Sequence, residues 1–439
     1  MPLMRIKWYK IVGLLLCTSG VSYVAYHNGL ITVSSEVSKI RRSDKQPHFS
    51  LGTRLRGSGI NAIKMSTTIS NLRPTASDTS DFMRNQTMVM RNRKSWVKEK
   101  CQQYSGTSYW KTLQPRGNIW SYGSLNYCII PKVGCTFWKR ILRFLSKDYA
   151  RYEQIRKPSD IDKAYVHYGR YSNIRQTPAY NPIARNLFSK NIFMFTRNPY
   201  ARLWSAYIDK FLLPDFWYTD GQDIIELIRP DGSEYERHCA SDITFNEFLM
   251  YINMTSRGPM NEHWERIHWL CSPCHMTYDV IGKLETFSDD SEYILKKNHL
   301  QYLQDSATKL DKIENEVVTL VQYNFELEYY TPMGCFNRLD VAQRLWTAFQ
   351  YNGYIHKNTE FPQQILDERR FLPNPIEVLT DVVMDAIHHQ INNNVETRTQ
   401  KSEMMLDAYR NVPTELLEKI AEIYKYDFEL FGYDEVLFK

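Results

Sequence analysis

No internal repeat, heptad array or long low-complexity tract runs through the 439-residue chain. That sets aside solenoids, extended coiled coils and wholly disordered proteins. Net charge is also scarce: 55 lysines and arginines against 49 acids leave +6, too little by itself to mark a nucleic-acid binder. The Walker A pattern G-x-x-x-x-G-K-[ST] is missing, as is a Mg2+-binding pattern, which counts against a lumenal kinase. Around Cys271-x-x-Cys274 only His268 and His275 stand near enough to complete a zinc site, and no thioredoxin-like setting surrounds the pair. We therefore expect these two cysteines to form structural disulfides with others, and no metal. What the chain does have is 43% hydrophobic and 14% aromatic residues, enough to bury a core. Its mild basic excess suits an anionic cosubstrate or an acidic polysaccharide, because a basic cleft concentrates anions.

The amino terminus departs from a plain globular pattern. Arg5, Lys7 and Lys10 precede an uncharged apolar run, Ile11 to Tyr26, flanked by Trp8 and Tyr9 on one side and Tyr23 and Tyr26 on the other. The uncharged stretch continues to Ser35, reaching the roughly 20 residues that span a bilayer. Basic residues before the span place that end in the cytosol. The expected order is a cytosolic tail at 1–10, a signal-anchor at 11–33, a lumenal stem at 34–95 and a folded domain at 96–439. A cleaved signal peptide, with Thr18, Ser19 and Gly20 near its cut, is the competing reading. Both send the rest of the chain into the secretory lumen. The sequons at Asn85 and Asn253 fit that compartment. So does cysteine parity: of eight cysteines, Cys17 lies in the span and Cys135 in a loop assigned below to a nucleotide, and six remain. They allow three disulfides in fifteen connectivities. The stem expectation rests on a stretch rich in Ser, Thr, Arg and Asn up to about Lys94, which cannot bury enough apolar surface to offset chain entropy.

Two segments then share one grammar. The apolar run Asn126 to Ile130 leads through Pro131, Lys132, Val133, Gly134, Cys135 and Thr136 into a helical pattern over Phe137 to Tyr152. The run Asn191 to Thr196 leads through Arg197, Asn198 and Pro199 into a second helix over Tyr200 to Phe211. Such strand–turn–helix units predict an α/β domain with a largely parallel sheet. From about Phe245 the pattern is mostly helical, clearest over Phe245–Ile252, Ser291–Thr308, Ile376–Asn392 and Thr414–Tyr426. A turn between a strand and a helix exposes backbone N–H groups at the positive end of the helix dipole, a natural anion site. In the first turn Lys132 adds a mobile charge, Gly134 permits close approach and Thr136 offers a hydroxyl. In the second, Arg197 stands where open sheets bind ligands, Ser205 lies in reach of a second phosphate, and Arg202 reads as a surface residue with a salt bridge at i,i+4. Two anion sites suit a nucleotide charged at both its 5′ and 3′ positions. For a proton acceptor, histidine suits near-neutral pH. His263 ranks first, His167 second and Glu262 third.

The segments PKVGCTFWKR (Pro131 to Arg140) and RNPYARLWSAYIDKF (Arg197 to Phe211) resemble the two nucleotide-binding signatures of Golgi carbohydrate sulfotransferases. The branch is the one with the chondroitin, dermatan and N-acetylgalactosamine 4-O-sulfotransferases and the natural-killer-epitope enzyme. The block Asn261 to Trp264, Leu270 to Cys274 and Tyr278 to Thr286 is similar to that family's NEHW…LCxPCxxxYDxxGKxET, and Tyr424 to Tyr433 to its closing segment. The resemblance implies a P-loop-like sulfotransferase fold with flanking helices and a helix-rich C-terminal part. It also implies 3′-phosphoadenylyl sulfate as donor, a glycan acceptor such as chondroitin or dermatan, and attachment to the Golgi membrane, with no nucleic acid as partner; a homo-oligomer is compatible with it. Pro131 to Phe137 would hold the 5′-phosphosulfate, and Arg197, Asn198, Pro199, Tyr200, Ala201, Arg202, Leu203, Trp204 and Ser205 the 3′-phosphate, with Lys132 beside the bridging oxygen. Gly134 and Phe137 stand where the family commonly has alanine and asparagine. Asn198 and Ala201 replace acidic positions, while Tyr200 and Trp204 are larger than usual. A lectin-like lumenal glycoprotein with a degenerate nucleotide site is the non-enzymatic rival, against which the intact Lys132, Arg197 and Ser205 speak.

Overall fold

The computed structural model describes residues 25–27, 30–32, 76–107, 109–110, 113, 115–149, 154–179, 191–304, 308–363 and 368–438. The chain divides into two units, 1–71 and 72–439. In the first, β1 (Ala25–His27) pairs antiparallel with β2 (Leu30–Thr32). The cytosolic tail at 1–10 and the rest of the expected 11–33 span lie outside the described residues. Among the described residues no helix is long and apolar enough to cross a membrane.

The second unit begins earlier than the composition predicts. Helix α1 runs for 29 residues, Ala76–Tyr104, where the sequence reads as stem to about Lys94. Its apolar positions are sparse but fall on one face: Phe82, Met83, Met90, Val97, Cys101 and Tyr104 all pack into the sheet-side core. Arg93 on the same face donates to the Ile281 carbonyl (3.1 Å) and to Asp290 (2.7 Å). The Cys101–Cys274 disulfide ties down the last turn. Asn85 lies exposed on this helix, as does Asn253 on the helix Phe245–Thr255.

A five-stranded sheet has the order β5 (Arg175–Pro178), β3 (Asn118–Tyr122), β4 (Leu125–Cys128), β6 (Ile192–Thr196), β7 (Val280–Lys283). Its core is parallel, β4 with β6 and β6 with β7. β3 runs antiparallel to both β4 and β5, an arm the sequence reading does not contain. Its signal was the two-residue connection Gly123–Ser124, in which Gly123 takes φ 57° as a tight hairpin requires. β4 and β6 are buried at every position, because both faces are covered.

Helix α2 (Cys135–Ser146) follows β4, α3 is Lys163–Tyr168, and α4 (Pro199–Tyr207) follows β6. α2 stops at Ser146 rather than Tyr152 because Lys147 turns left-handed (φ 55°) and caps the last turn. α4 gives way at Ile208–Leu212 to one wide π-helical turn. The predicted helix over Ser291–Thr308 is really Phe287–Lys297. Thr308 instead caps the next helix, Lys309–Glu326, through a reciprocal bond with Asp311. Helices Lys309–Glu326, Arg338–Tyr351, Pro375–Asn392 and Gln400–Arg410 build a second hydrophobic core with α4 around Leu203, Trp204, Phe211 and Trp264. The six cysteines pair as Cys101–Cys274, Cys128–Cys271 and Cys239–Cys335, and Cys135 is free and buried.

Candidate active site

The first turn carries two left-handed residues within three positions, Lys132 (φ 68°) and Gly134 (φ 85°). For lysine that conformation costs about 1 kcal/mol. Together they reverse the chain so that α2 starts with its amide donors uncapped by any side chain, the arrangement that attracts an anion. Glycine is required at 134 for a second reason. A Cβ there would sit 2.5 Å from the Phe287 ring, which fills the space an alanine methyl would need. A cleft of about 1020 Å3 opens against this helix start, lined by Gly134, Thr136, Phe137, Arg140, Lys157 and Lys312 among others.

The second turn leaves β6 through Arg197. Asn198 caps α4, its side-chain oxygen accepting from the amides of Tyr200 (3.0 Å) and Ala201 (3.3 Å). Arg197 donates to the Lys132 carbonyl (3.1 Å), so the two turns meet across the sheet. Burial lowers the Arg197 pKa to about 10, with Glu285 opposing. Arg202 is no surface residue. It is 2% exposed and donates to the carbonyls of Pro131 (3.1 Å), Glu265 and Glu262, riveting the first turn to the Asn261–Trp264 segment. Glu285 accepts from the Asn198 amide (2.9 Å) and from the Tyr433 hydroxyl (2.9 Å). Asp427 accepts from the Ile267 amide (2.6 Å) and from His268. The similar segments far apart in sequence thus buttress one another. Val133 and Cys135 from the first turn, with Tyr200, Leu203 and Trp204 from the second, are buried in core clusters rather than lining the cleft. Pro131 and Pro199 are buried too, Ala201 and Ser205 half-buried.

Beneath the turns lies a ring of charge. Lys132 reaches Asp209 at 2.8 Å, and Lys210 and Lys163 approach the same carboxylate at 3.3 and 3.9 Å. Burial opposes the ionisation of Asp209, but the three lysines outweigh it and hold the carboxyl well below its usual range. Burial lowers the Lys132 ammonium, partly offset by Asp209. Lys210 also pairs with Asp215, which accepts from the Tyr323 hydroxyl at 2.7 Å. A further cation comes from the helix Gln400–Arg410. Lys401 is solvent-exposed yet crowded by protein, and makes no ion pair among the described residues. Desolvation by the crowding protein, then Arg197 and Lys132, bring its pKa down to about 8, with Glu316 opposing. Asp209, Lys210, Asp215, Lys163, Tyr323 and Lys401 are absent from the sequence-based site; only the first two stand in the recognised motifs.

The two histidines are distinguished by their bonds. His167 Nδ1 lies 3.4 Å from the Lys139 ammonium, which can only donate, so Nε2 carries the proton and donates to Thr136 Oγ1 at 3.1 Å. Both its nitrogens are engaged. His263 differs. Asn261 Nδ2 donates to Asp220 (3.1 Å), which turns Asn261 Oδ1 toward the His263 amide (3.1 Å) and ring Nδ1 (2.8 Å). Nδ1 is therefore the protonated nitrogen and Nε2 keeps its lone pair. Burial and then Lys210 push the His263 pKa well below its ordinary value, with Asp209 opposing. Phe216 packs edge-on to its ring at 5.2 Å and also lies under Lys210. Glu262 is exposed, its backbone carbonyl taken by Arg202. Lys132, Asp209, Lys210, His167 and His263 thus form one electrostatic cluster.

The sequence model of the sulfotransferase family matches residues 121–332 and 360–434. Carbohydrate sulfotransferase 11 of Rattus norvegicus is 32% identical over 226 residues, covering 49% of this chain and 62% of that protein. Carbohydrate sulfotransferase 9 of Homo sapiens is 32% identical over 212 residues, 46% of each chain. Carbohydrate sulfotransferase 14 of Danio rerio is 35% identical over 173 residues, 39% of this chain and 45% of that one. The chain thus spans about half to three fifths of the length of these relatives. No solved structure matches.

Proposed function

The chain belongs to the sulfotransferase family, and from that premise we propose that it transfers a sulfuryl group from 3′-phosphoadenylyl sulfate to a hydroxyl of a glycan. The donor supplies an activated sulfuryl group, whose sulfur–oxygen bond to phosphate breaks as a new one forms to the acceptor oxygen. Catalysis of such a transfer rests on in-line positioning and stabilisation of oxygen charge. The amides at the start of α2, Thr136 and Lys132 hold the 5′ end, and Arg197 with Ser205 the 3′-phosphate. Lys132 neutralises the leaving phosphate oxygen. His263 Nε2 accepts the proton of the acceptor hydroxyl, while His167 orients Thr136. The acceptor we favour is position 4 of N-acetylgalactosamine in chondroitin or dermatan. The names of the relatives support a carbohydrate, and a glucuronic acid 3-hydroxyl is the alternative to be tested beside it. Three disulfides and two exposed sequons support residence in the oxidising secretory lumen, in keeping with a Golgi type II enzyme.

The observation that supports this reading is the Arg197–Lys132 bond, which joins the two turns we propose to hold the two ends of the nucleotide. Isothermal titration with adenosine 3′,5′-bisphosphate tests it. Binding is expected, and silence would favour a lectin or scaffold. Arg197→Ala should weaken that binding by at least about tenfold, the worth of a charge-assisted contact, and an unaltered affinity would remove Arg197 from the site. Lys401→Ala is expected to raise the donor KM by roughly tenfold with little change in kcat, since its ammonium lies in the same field as Arg197 and Lys132, with only Glu316 opposing them. Initial rates across donor concentration read both quantities, and an unchanged KM would place Lys401 outside the nucleotide's field.

A further inference from the structure

The charge ring does not end at Lys210. Asp215 passes the contact to the Tyr323 hydroxyl (2.7 Å), and Tyr323 to the Tyr168 hydroxyl (3.3 Å). Lys163 lies over the Tyr323 ring at 4.8 Å and itself approaches Asp209. Tyr168 follows His167 directly, their rings 6.3 Å apart, yet the tyrosine is 69% exposed. Tyr330, after the end of the helix Lys309–Glu326, is likewise 69% exposed. Tyr218, half-buried, lies in electrostatic reach of Asp215, Tyr168 and Tyr330. Large aromatics left in water as a group mark binding surfaces, and tyrosine offers an apolar face with a polar edge. Packing does not explain the Tyr168 and Tyr330 rings, which stay largely exposed. The Tyr168 hydroxyl is bonded to that of Tyr323, which holds the ring in place beside His167.

We propose that Tyr168, anchored through Tyr323 beside His167, stacks one pyranose ring of the acceptor glycan through its C–H face, with the exposed Tyr330 extending the same platform. The proposal rests on the glycan-acceptor reading and adds to it where the sugar sits. A pyranose turns a patch of axial C–H groups to an aromatic ring while its hydroxyls point outward, away from the stack. Stacking also carries no charge requirement, so the platform accepts the uncharged face of an amino sugar within an otherwise acidic chain.

The test uses the full chain in detergent with desulfated chondroitin oligosaccharide as acceptor. Tyr168→Ala should raise the acceptor KM by about tenfold, with the donor KM and the affinity for adenosine 3′,5′-bisphosphate unchanged. Tyr168→Phe, which keeps the ring and loses only the bond to Tyr323, should recover most of that loss, and Tyr330→Ala should raise the same KM by a smaller factor. An acceptor KM unmoved in both alanine variants overturns the platform. So does a phenylalanine variant as impaired as the alanine, which would assign the effect to the hydroxyl bond. Direct titration of the same oligosaccharide reads the platform independently of turnover. Should the unaltered chain transfer no sulfate at all, the enzymatic reading falls, whereas oligosaccharide binding that depends on Tyr168 would still uphold this one.

Discussion

Lys132→Ala should lower turnover at saturating donor by about 10²- to 10³-fold, the scale for removing one preorganised charge from an oxyanion-type site. The ammonium is largely enclosed, 2.8 Å from Asp209, and the Lys132 backbone carbonyl is bound to Arg197. The substitution spares that carbonyl, so the contact between the two turns survives. Asp209 is not stranded either, because Lys210 and Lys163 remain within 3.3 and 3.9 Å. Alanine at φ 68° pays the same backbone strain as lysine. The fold should therefore persist, and a melting temperature close to that of the unaltered chain is the control. What disappears is the Lys132 ammonium, the group proposed to neutralise the leaving phosphate oxygen. Transfer of radiolabelled sulfate at saturating donor reads the effect; turnover within about twofold of normal would take Lys132 out of the chemistry. Lys132→Arg should not restore full rate, since a planar fork needs a different geometry from a point charge.

The two turns were legible because each is punctuated locally, by Pro131 and Gly134 or by Asn198 and Pro199, between an apolar run and a helical period. That part of the grammar is short-range, and the parallel strands β4 and β6 follow from it. Arg202 was not legible. Its period places it on a helix, but only the fold reveals that the helix face is buried against Pro131 and Glu265. Asp215, Tyr323 and Lys401 escaped for a related reason. Each arrives from a separate helix or turn in a stretch with no motif, and nothing in their local spacing encodes convergence on Asp209 or Arg197. Helix α1 was misread because an apolar stripe as thin as Met83, Met90 and Val97 looks like stem composition until a sheet edge covers it. The ranking of His263 over His167 came from the sequence, but the bonds to Asn261 and Lys139 that fix their tautomers could not be read from residue type.

His263→Gln should reduce kcat by about 10²- to 10⁴-fold, the usual worth of a general base, and should erase the acidic limb of the pH profile. Only the neutral imidazole can take the acceptor proton, so in the unaltered enzyme activity falls as pH drops through the His263 pKa. With the cleft free of anions, burial and the Lys210 charge hold that pKa well below 6.5. The acidic limb of kcat/KM for the donor, which reports the free enzyme, should therefore lie below pH 6.5. A nucleotide resting on Lys132 and Arg197 brings negative charge that offsets those cations, favours the protonated ring and raises the pKa. The limb of kcat, which reports the complex, must then stand at higher pH than the limb of kcat/KM. His167→Gln should keep this displacement, because that ring accepts from Lys139 and donates to Thr136 and has no free lone pair to offer. Two coincident limbs, or a limb that persists in His263→Gln, would assign the proton to another group. The displacement also has a functional sense: donor binding turns a weakly basic imidazole into a stronger one, so the acceptor hydroxyl meets a competent base only once the sulfuryl group is in place.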